Sequence, residues 1–340
     1  MADPLRIAMW NVELSRRGPG LLLRDITGGK DAQVDAVLRG LLALDADILL
    51  LTGFDYDGGD AALGAFAARL AAAGLDYPHL FARPPNTGVA TGLDLDGDGR
   101  LGGPRDAQGY GRFPGEGGMA ILSRLPLRAE AAVDLSAMLW RDLPGAIPPP
   151  LTPEIAAIQR LSTTGHWIVP VALPDGRLLS LLVWYATPPV FDGPEDRNGR
   201  RNHDEAALWL RLFEGALAPP APALPLVVMG GANLDPADGE GLPDALNALR
   251  AHPLLQDPGP RGSHGRAEPA HRGDPALDTA LFDGQDGPGG LRVDYVLPST
   301  DLRLLGSGVL WPPPDDPQAS VLAAASRHRP VWVDVEAAAP

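Results

Sequence analysis

Apolar runs of strand length recur along the whole chain, and most of them break at glycine, proline, asparagine or aspartate within about six residues. "LRIAMWN" alternates Leu5, Ile7 and Met9 with Arg6 and Ala8 and stops at Asn11, and "ILLLTGFD" holds a strand at 48–52. "PHLFA", "GMAIL", "LPLRAEAAVDL", "HWIVPVAL", "RLLSLLVWYA", "LPLVVM", "LRVDYVLPS" and "RPVWVDV" follow in the same manner. A chain written this way must pair its strands into sheets and bury their apolar faces. The 41 glycines and 37 prolines agree, being too many for a helical bundle.

Helical periodicity occurs between some of these runs. Val34, Val37, Leu38, Leu41 and Leu42 form one apolar stripe, Leu63, Phe66 and Leu70 another, and the pairs Leu208/Leu212 and Trp209/Phe213 mark a third helix ending at Gly215. The first stripe joins two strands as a β-α-β unit, whereas "PDGR" between "HWIVPVAL" and "RLLSLLVWYA" carries the Asp-Gly signal of a hairpin. Crossovers and hairpins together predict mixed sheets, in an α/β sandwich of two strand layers flanked by helices. We expect a single domain over 1–340, with Gly/Pro-rich loops longer than ordinary connections at 84–118, 140–165 and 257–290.

Charge and composition narrow the partners. With 28 basic against 43 acidic side chains the net charge is -15, which repels long nucleic acid and leaves a small anionic or phosphorylated ligand as the expected partner. No run reaches the roughly 18 apolar residues of a membrane helix, so no membrane role is expected. The N-terminus lacks a secretory signal pattern, which favours the cytoplasm while leaving a secreted or periplasmic location open. The absence of cysteine removes disulfides, thiolate metal sites and cysteine nucleophiles.

Polar residues stand at several strand ends: Asn11, then Asn233 and Asp235 after "LVVM", Asp294 inside "LRVDYVL", and His328 before "RPVWVDV". Strand termini are where α/β folds gather ligand-binding groups, although any one of these residues alone reads equally as a turn cap. In order, "RIAMWNVEL", "DADILLLTGFD", "GGMAILSRLPL", "TPPVFDGPEDRNGRRNHDEA", "GGANLDP", "RVDYVL" and "SRHRPVWVDV" resemble the motifs of the endonuclease/exonuclease/phosphatase family over nearly the whole chain, the fourth as in one bacterial branch of it. The resemblance implies a four-layer α-β-β-α sandwich with two mixed, mainly antiparallel sheets. It also implies hydrolysis of a phosphomonoester or phosphodiester with a divalent metal, Mg²⁺ or Mn²⁺, carried here by Asn11, Asn233, Asp294 and His328.

Four positions depart from that pattern. Gly53 stands for the metal-binding glutamate, Tyr185 for a histidine, Gly231 for the aspartate that orients the attacking water, and Arg327 for the aspartate before the terminal histidine. The substitutions remove carboxylates from a site that needs them to hold a cation. Glu13, Asp55 and Asp235, each two residues from a motif position, are candidates to compensate, because residues two apart on a strand share a face. Arg327 and Arg201 are candidates to bind an anion, since a guanidinium holds phosphate bidentately but makes no hydroxide. The alternative to an enzyme is a catalytically degenerate relative that binds an anion or serves a structural role. In that case His328 and Asp294 persist as a hydrogen-bonded pair.

"GLDLDGDGRLGGPRD" places Asp94, Asp96 and Asp98 at alternate positions with Gly99 behind them, like the start of a calcium loop. Position twelve is Arg105, with Asp106 one later, so the match is partial. The loop is expected either to hold a structural Ca²⁺ or to be a solvated acidic turn. "EDRNGRRNHDEA" sets Arg197, Arg200, Arg201 and His203 among four acids, to face an anionic substrate or to pair locally.

Overall fold

The computed structural model describes residues 4–284 and 287–337. Its strands are β1 (Leu5–Leu14), β2 (Ile48–Phe54), β3 (His79–Ala82), β4 (Gly118–Ser123), β5 (Val133–Asp134), β6 (Gly165–Ala172), β7 (Leu178–Tyr185), β8 (Leu226–Gly231), β9 (Ala280–Phe282), β10 (Gly289–Leu291), β11 (Asp294–Pro298), β12 (Leu302–Val309) and β13 (Val331–Ala337). The helices are α1 (Leu21–Gly28), α2 (Ala32–Leu44), α3 (Ala61–Ala72), α4 (Pro153–Ile158), α5 (Arg197–Phe213), α6 (Asp244–Arg250) and α7 (Pro317–Ala325). One sheet runs β12-β13-β1-β2-β4-β3, a second runs β11-β8-β7-β6-β5, and β9 and β10 form a small ribbon. Only β1 with β2 and β7 with β8 pair in parallel in the two large sheets. They are therefore mixed and mainly antiparallel.

Strand alternation sorts the side chains into layers. Ile7 and Met9 of β1, Leu50 of β2, Leu181 and Val183 of β7, Val227 and Met229 of β8, Val296 of β11 and Val331 and Val333 of β13 fill the space between the sheets. The alternate positions of the first sheet, Ala8, Trp10 and Leu49 among them, pack under α1, α2, α3 and α7. Those of the second, Leu182, Trp184 and Val228, pack under α5 and α6. The result, among the described residues, is an α-β-β-α sandwich with three large apolar cores and a small fourth one at Ala280, Leu291 and Val293.

One predicted element differs. "LPLRAEAAVDL" yields only the two-residue β5 behind a 3-10 turn at Ala129–Ala131. The short helices α1, α4, α6 and α7 and the strand β12 are not announced by the sequence, and each buries at most three residues. The "PDGR" hairpin forms as expected, with Gly176 at φ 87 in the turn.

Bulges interrupt both inner strands where β1 and β2 end. Pairing passes from Asn11 with Thr52 to Leu14 with Phe54, so Val12 and Glu13 oppose Gly53 alone. Glu13 (φ 49) and Gly53 (φ 66) take up left-handed backbone there. The side-chain period of two is lost at the very tips that face the cleft.

The arginines of "EDRNGRR" hold the long loops. Arg197 donates to Leu95 O at 2.6 Å and Gln159 Oε1 at 2.5 Å, and Arg200 to Ile147 O and Glu195 O. Arg201 donates to the carbonyl oxygens of Leu161, Gln108, Arg160 and Ser162 at 2.6–3.2 Å. Irregular segments leave carbonyls without strand or helix partners, and guanidinium groups from α5 satisfy them.

Candidate functional site

Four positions carry the inward-facing series of their strands one step further, to the open edge of the apolar layer. Asn11 follows Ile7 and Met9; Tyr185 follows Leu181 and Val183; Gly231 follows Val227 and Met229; Asp294 precedes Val296. In the second sheet Tyr185 pairs with Gly231 and Gly231 with Asp294, making one cross-strand row. Asn11 lies opposite that row, and His328 is delivered beside it by the segment entering β13.

These groups partly satisfy one another, although Asp294 Oδ1 is buried without a hydrogen-bond partner. His328 Nδ1 is 2.7 Å from Asp294 Oδ2, and its Nε2 is 3.3 Å from Asn11 Nδ2, which also donates to the Tyr185 hydroxyl at 3.0 Å. The tautomer consistent with both contacts carries the proton on Nδ1 and accepts at Nε2. Burial pushes the Tyr185 phenol up to about 12, so it stays neutral. Trp10 Nε1 donates to His328 O at 3.0 Å, and the His328 amide donates to Ser326 Oγ, whose hydroxyl is 2.7 Å from Asn11 O. Phe282 stands edge-on to the His328 ring at 5.6 Å.

The cleft does not offer the donor set that a divalent metal needs. A Cβ at Gly53 would overlap Asn11 Oδ1, and one at Gly231 would sit 2.8 Å from the Tyr185 ring. Neither glycine merely lacks a carboxylate; neighbouring atoms occupy the space one would use. The Glu13 carboxylate turns to Arg327, accepting from its amide at 2.7 Å and from its guanidinium. Burial would raise the Glu13 pKa, but these bonds hold it below its ordinary value. Asp55 accepts from Ser15 Oγ, Arg16 N and Gly117 N at 2.8–2.9 Å, tying the ends of β1 and β4 together, and burial pushes its pKa up. Asp235 accepts from the amides of Ala237, Asp238 and Arg292.

Of the remaining residues singled out in the sequence, Asn233 borders the cleft beside Tyr185 and the others fall elsewhere. Asn233, at φ 53, donates its side-chain amide to Ala186 O at 2.7 Å and its backbone amide to Val293 O, bracing the end of β8 against both neighbours. The Arg201 guanidinium is buried among the four carbonyls described above, which leaves it closed to a ligand, and burial lowers it to about 10. In the acidic loop, Asp94 and Asp96 come together with Asp106 rather than with Asp98. Asp98 instead accepts from Arg100 N at 2.8 Å, while Asp94 caps the amides of Gly97 and Gly99 and Asp106 those of Leu95 and Gly103. Asp106 stands in the acidic loop one residue past the expected ligand position, a displacement that the 3-10 turn at Pro104–Asp106 accommodates. Ser326 and Phe282 drew no attention in the sequence; the adjacency of Ser326 to His328 was the available signal, and nothing pointed to Phe282.

An α-β-β-α sandwich that brings Asn, Asp and His together between the ends of its two sheets is the fold of a large class of phosphoesterases. The sequence pattern of the Endonuclease/Exonuclease/phosphatase family matches residues 10–328, and the chain belongs to that family, whose members usually use a divalent metal. The fold is similar to that of an endonuclease/exonuclease/phosphatase from Beutenbergia cavernae (17% identity, TM-score 0.56, 98% of this chain and 72% of that one). It is also similar to the human Nocturnin catalytic domain (13%, TM-score 0.54, 99% and 95%) and to sphingomyelinase C from Streptomyces griseocarneus (14%, TM-score 0.52, 98% and 100%). No curated protein matches the sequence. Among the described residues, no helix is long and apolar enough to cross a membrane.

Proposed function

We propose that this chain is a catalytically degenerate member of the family, with a cleft that accepts a small anionic or phosphorylated ligand but does not hydrolyse it. The observation that carries this reading is at Gly53: its left-handed backbone disfavours any side chain, and the Asn11 amide oxygen stands where the Cβ of a metal-binding glutamate would have to sit. Hydrolysis in this family depends on a cation to polarise the phosphate and supply hydroxide. With Glu13, Asp55 and Asp235 all engaged, Asp294 alone is left near Asn11 with an oxygen free of hydrogen bonds, and one carboxylate is too few to hold a divalent cation for that task. A ligand would meet the Asn11 and Asn233 amides, His328 and the exposed flank of Arg327. The net charge of -15 argues against long nucleic acid in that role.

One feature supports a second reading, a latent enzyme. The Glu13–Arg327 pair is partly exposed, 22% and 63% for the two side chains, and such pairs contribute only about 0–1 kcal/mol. A substrate anion that drew Arg327 away would free Glu13 beside Asn11. Phosphate release from bis-p-nitrophenyl phosphate and p-nitrophenyl phosphate, with Mg²⁺, Mn²⁺ or Ca²⁺, separates the two. We expect the unaltered chain and Arg327→Ala both to stay at background. Turnover in the unaltered chain that His328→Ala abolishes would overturn the proposal, and turnover confined to Arg327→Ala would establish the latent site.

A further inference from the structure

We propose that Glu268, His271 and Asp278, in the long loop before β9, form a binding site for one divalent cation of the zinc class. A ligand atom from each of the three lies within 4.8 Å of the others. His271 Nε2 is 3.1 Å from Glu268 Oε2, and Nδ1 is 3.8 Å from Asp278 Oδ2.

The imidazole is the independent observation. Its side chain is only 5% exposed, yet neither ring nitrogen makes a hydrogen bond. Buried polar groups are nearly always paired, and one left orphaned between two carboxylates calls for an occupant. The short approach of Nε2 to Glu268 lies off the line of a hydrogen bond, as it does when both atoms aim at a third point. Among the described residues, no hydrogen bond reaches the Asp278 carboxylate either, although its side chain is also 5% exposed.

Backbone makes room for the cluster. A Cβ at Gly289 would overlap Glu268 Oε2, and one at Gly290 would overlap Asp278 Oδ2. Two successive residues without side chains are thus what admits both carboxylates. Glu268 is steadied by the Gly290 amide at 3.2 Å and by Arg266 Nη2 at 3.2 Å. One imidazole nitrogen with two carboxylates suits Zn²⁺ over Mg²⁺ or Ca²⁺, which prefer all-oxygen shells.

The site reaches the cleft through its neighbours. Thr279, next to Asp278, accepts the amides of Val293 and Asp294 at its hydroxyl, and its carbonyl accepts the Arg329 amide at 2.7 Å. Ala280 bridges to His328, and Phe282 packs on the His328 ring. A cation at Asp278 would anchor this segment against the Asp294–His328 pair.

Zinc competition against a chromophoric chelator, on the full chain after EDTA treatment, tests the assignment. We expect one Zn²⁺ per chain at this site, with affinity falling roughly tenfold or more in His271→Ala and in the shape-preserving Asp278→Asn. Asp94→Asn should leave it unchanged. Undiminished binding in both loop variants would overturn the proposal, as would no zinc binding at all, which would leave an imidazolium ion pair only. If His271→Ala fails to fold, X-ray absorption of the unaltered chain with one equivalent of Zn²⁺ decides: imidazole scattering supports the site, and an all-oxygen shell refutes it.

Discussion

The cleft between the sheets and the Glu268–His271–Asp278 loop answer the same problem in opposite ways. In the cleft, where family motifs direct attention, most polar groups have been turned on one another, Asn11 on Tyr185 and His328, His328 on Asp294, Glu13 on Arg327, although Asp294 Oδ1 is buried without a partner. In the loop, which carries no motif, a buried imidazole and a buried carboxylate stand with no hydrogen bond. Burying a polar group is costly unless it is paired, so a self-satisfied cluster can stand alone while an unsatisfied one signals something to be bound. Inherited motif order therefore identifies ancestry, and the pattern of satisfied and unsatisfied atoms says where a ligand is still needed.

The comparison breaks first at His328. If the cleft is now architecture, His328→Ala leaves Asp294 buried without its partner, and equilibrium denaturation should show a loss of about 3–5 kcal/mol. A loss under about 1 kcal/mol would mean the pair was never holding the sheets together. Gly231→Asp is expected to cost about 1–3 kcal/mol, because the new side chain enters the space of the Tyr185 ring. Adding Tyr185→His should recover part of that loss, with a coupling above about 0.5 kcal/mol in a double-mutant cycle. Additive effects would place the two residues out of contact.

Gly53→Glu should cost at least about 1–2 kcal/mol from left-handed backbone alone, and restore no phosphatase activity by itself. Wild-type stability in that variant would show that the bulge relaxes and that the metal position can be rebuilt. The smallest effect belongs to Arg327→Ala, at most about 1 kcal/mol by thermal melting, since its guanidinium is largely in solvent.

Much of the fold was legible because alternation is a local signal. Met9 and Val183 face the inter-sheet core because they fall two residues after Ile7 and Leu181 on their strands, and the Asp175–Gly176 turn marks its hairpin. The coming together of Asn11, Asp294 and His328 follows from the order of their motifs on strands that pair as the family's do. Glu13 shows where this reasoning ends. Two residues from Asn11, it should share its face, but the bulge opposite Gly53 rotates it to Arg327. Arg201 reads as a surface cation by its neighbours, yet α5 carries it beneath loops whose carbonyls it satisfies. Asp98 fits a calcium loop by spacing, and the turn at 104–106 brings in Asp106 instead.

By itself the sequence determined most of the strands, the polar residues Asn11, Asn233 and Asp294 at their ends, and the loss of carboxylates at 53 and 231. These depend on side-chain type and on a period of two, both properties of a short stretch of chain. The tertiary structure decided what fills the missing carboxylates' space, where Glu13, Arg201 and Asp235 spend their hydrogen bonds, and that Glu268, His271 and Asp278 converge over the Gly289–Gly290 step. Each of those outcomes depends on segments distant in sequence competing for the same buried volume and the same donors, which no local pattern records.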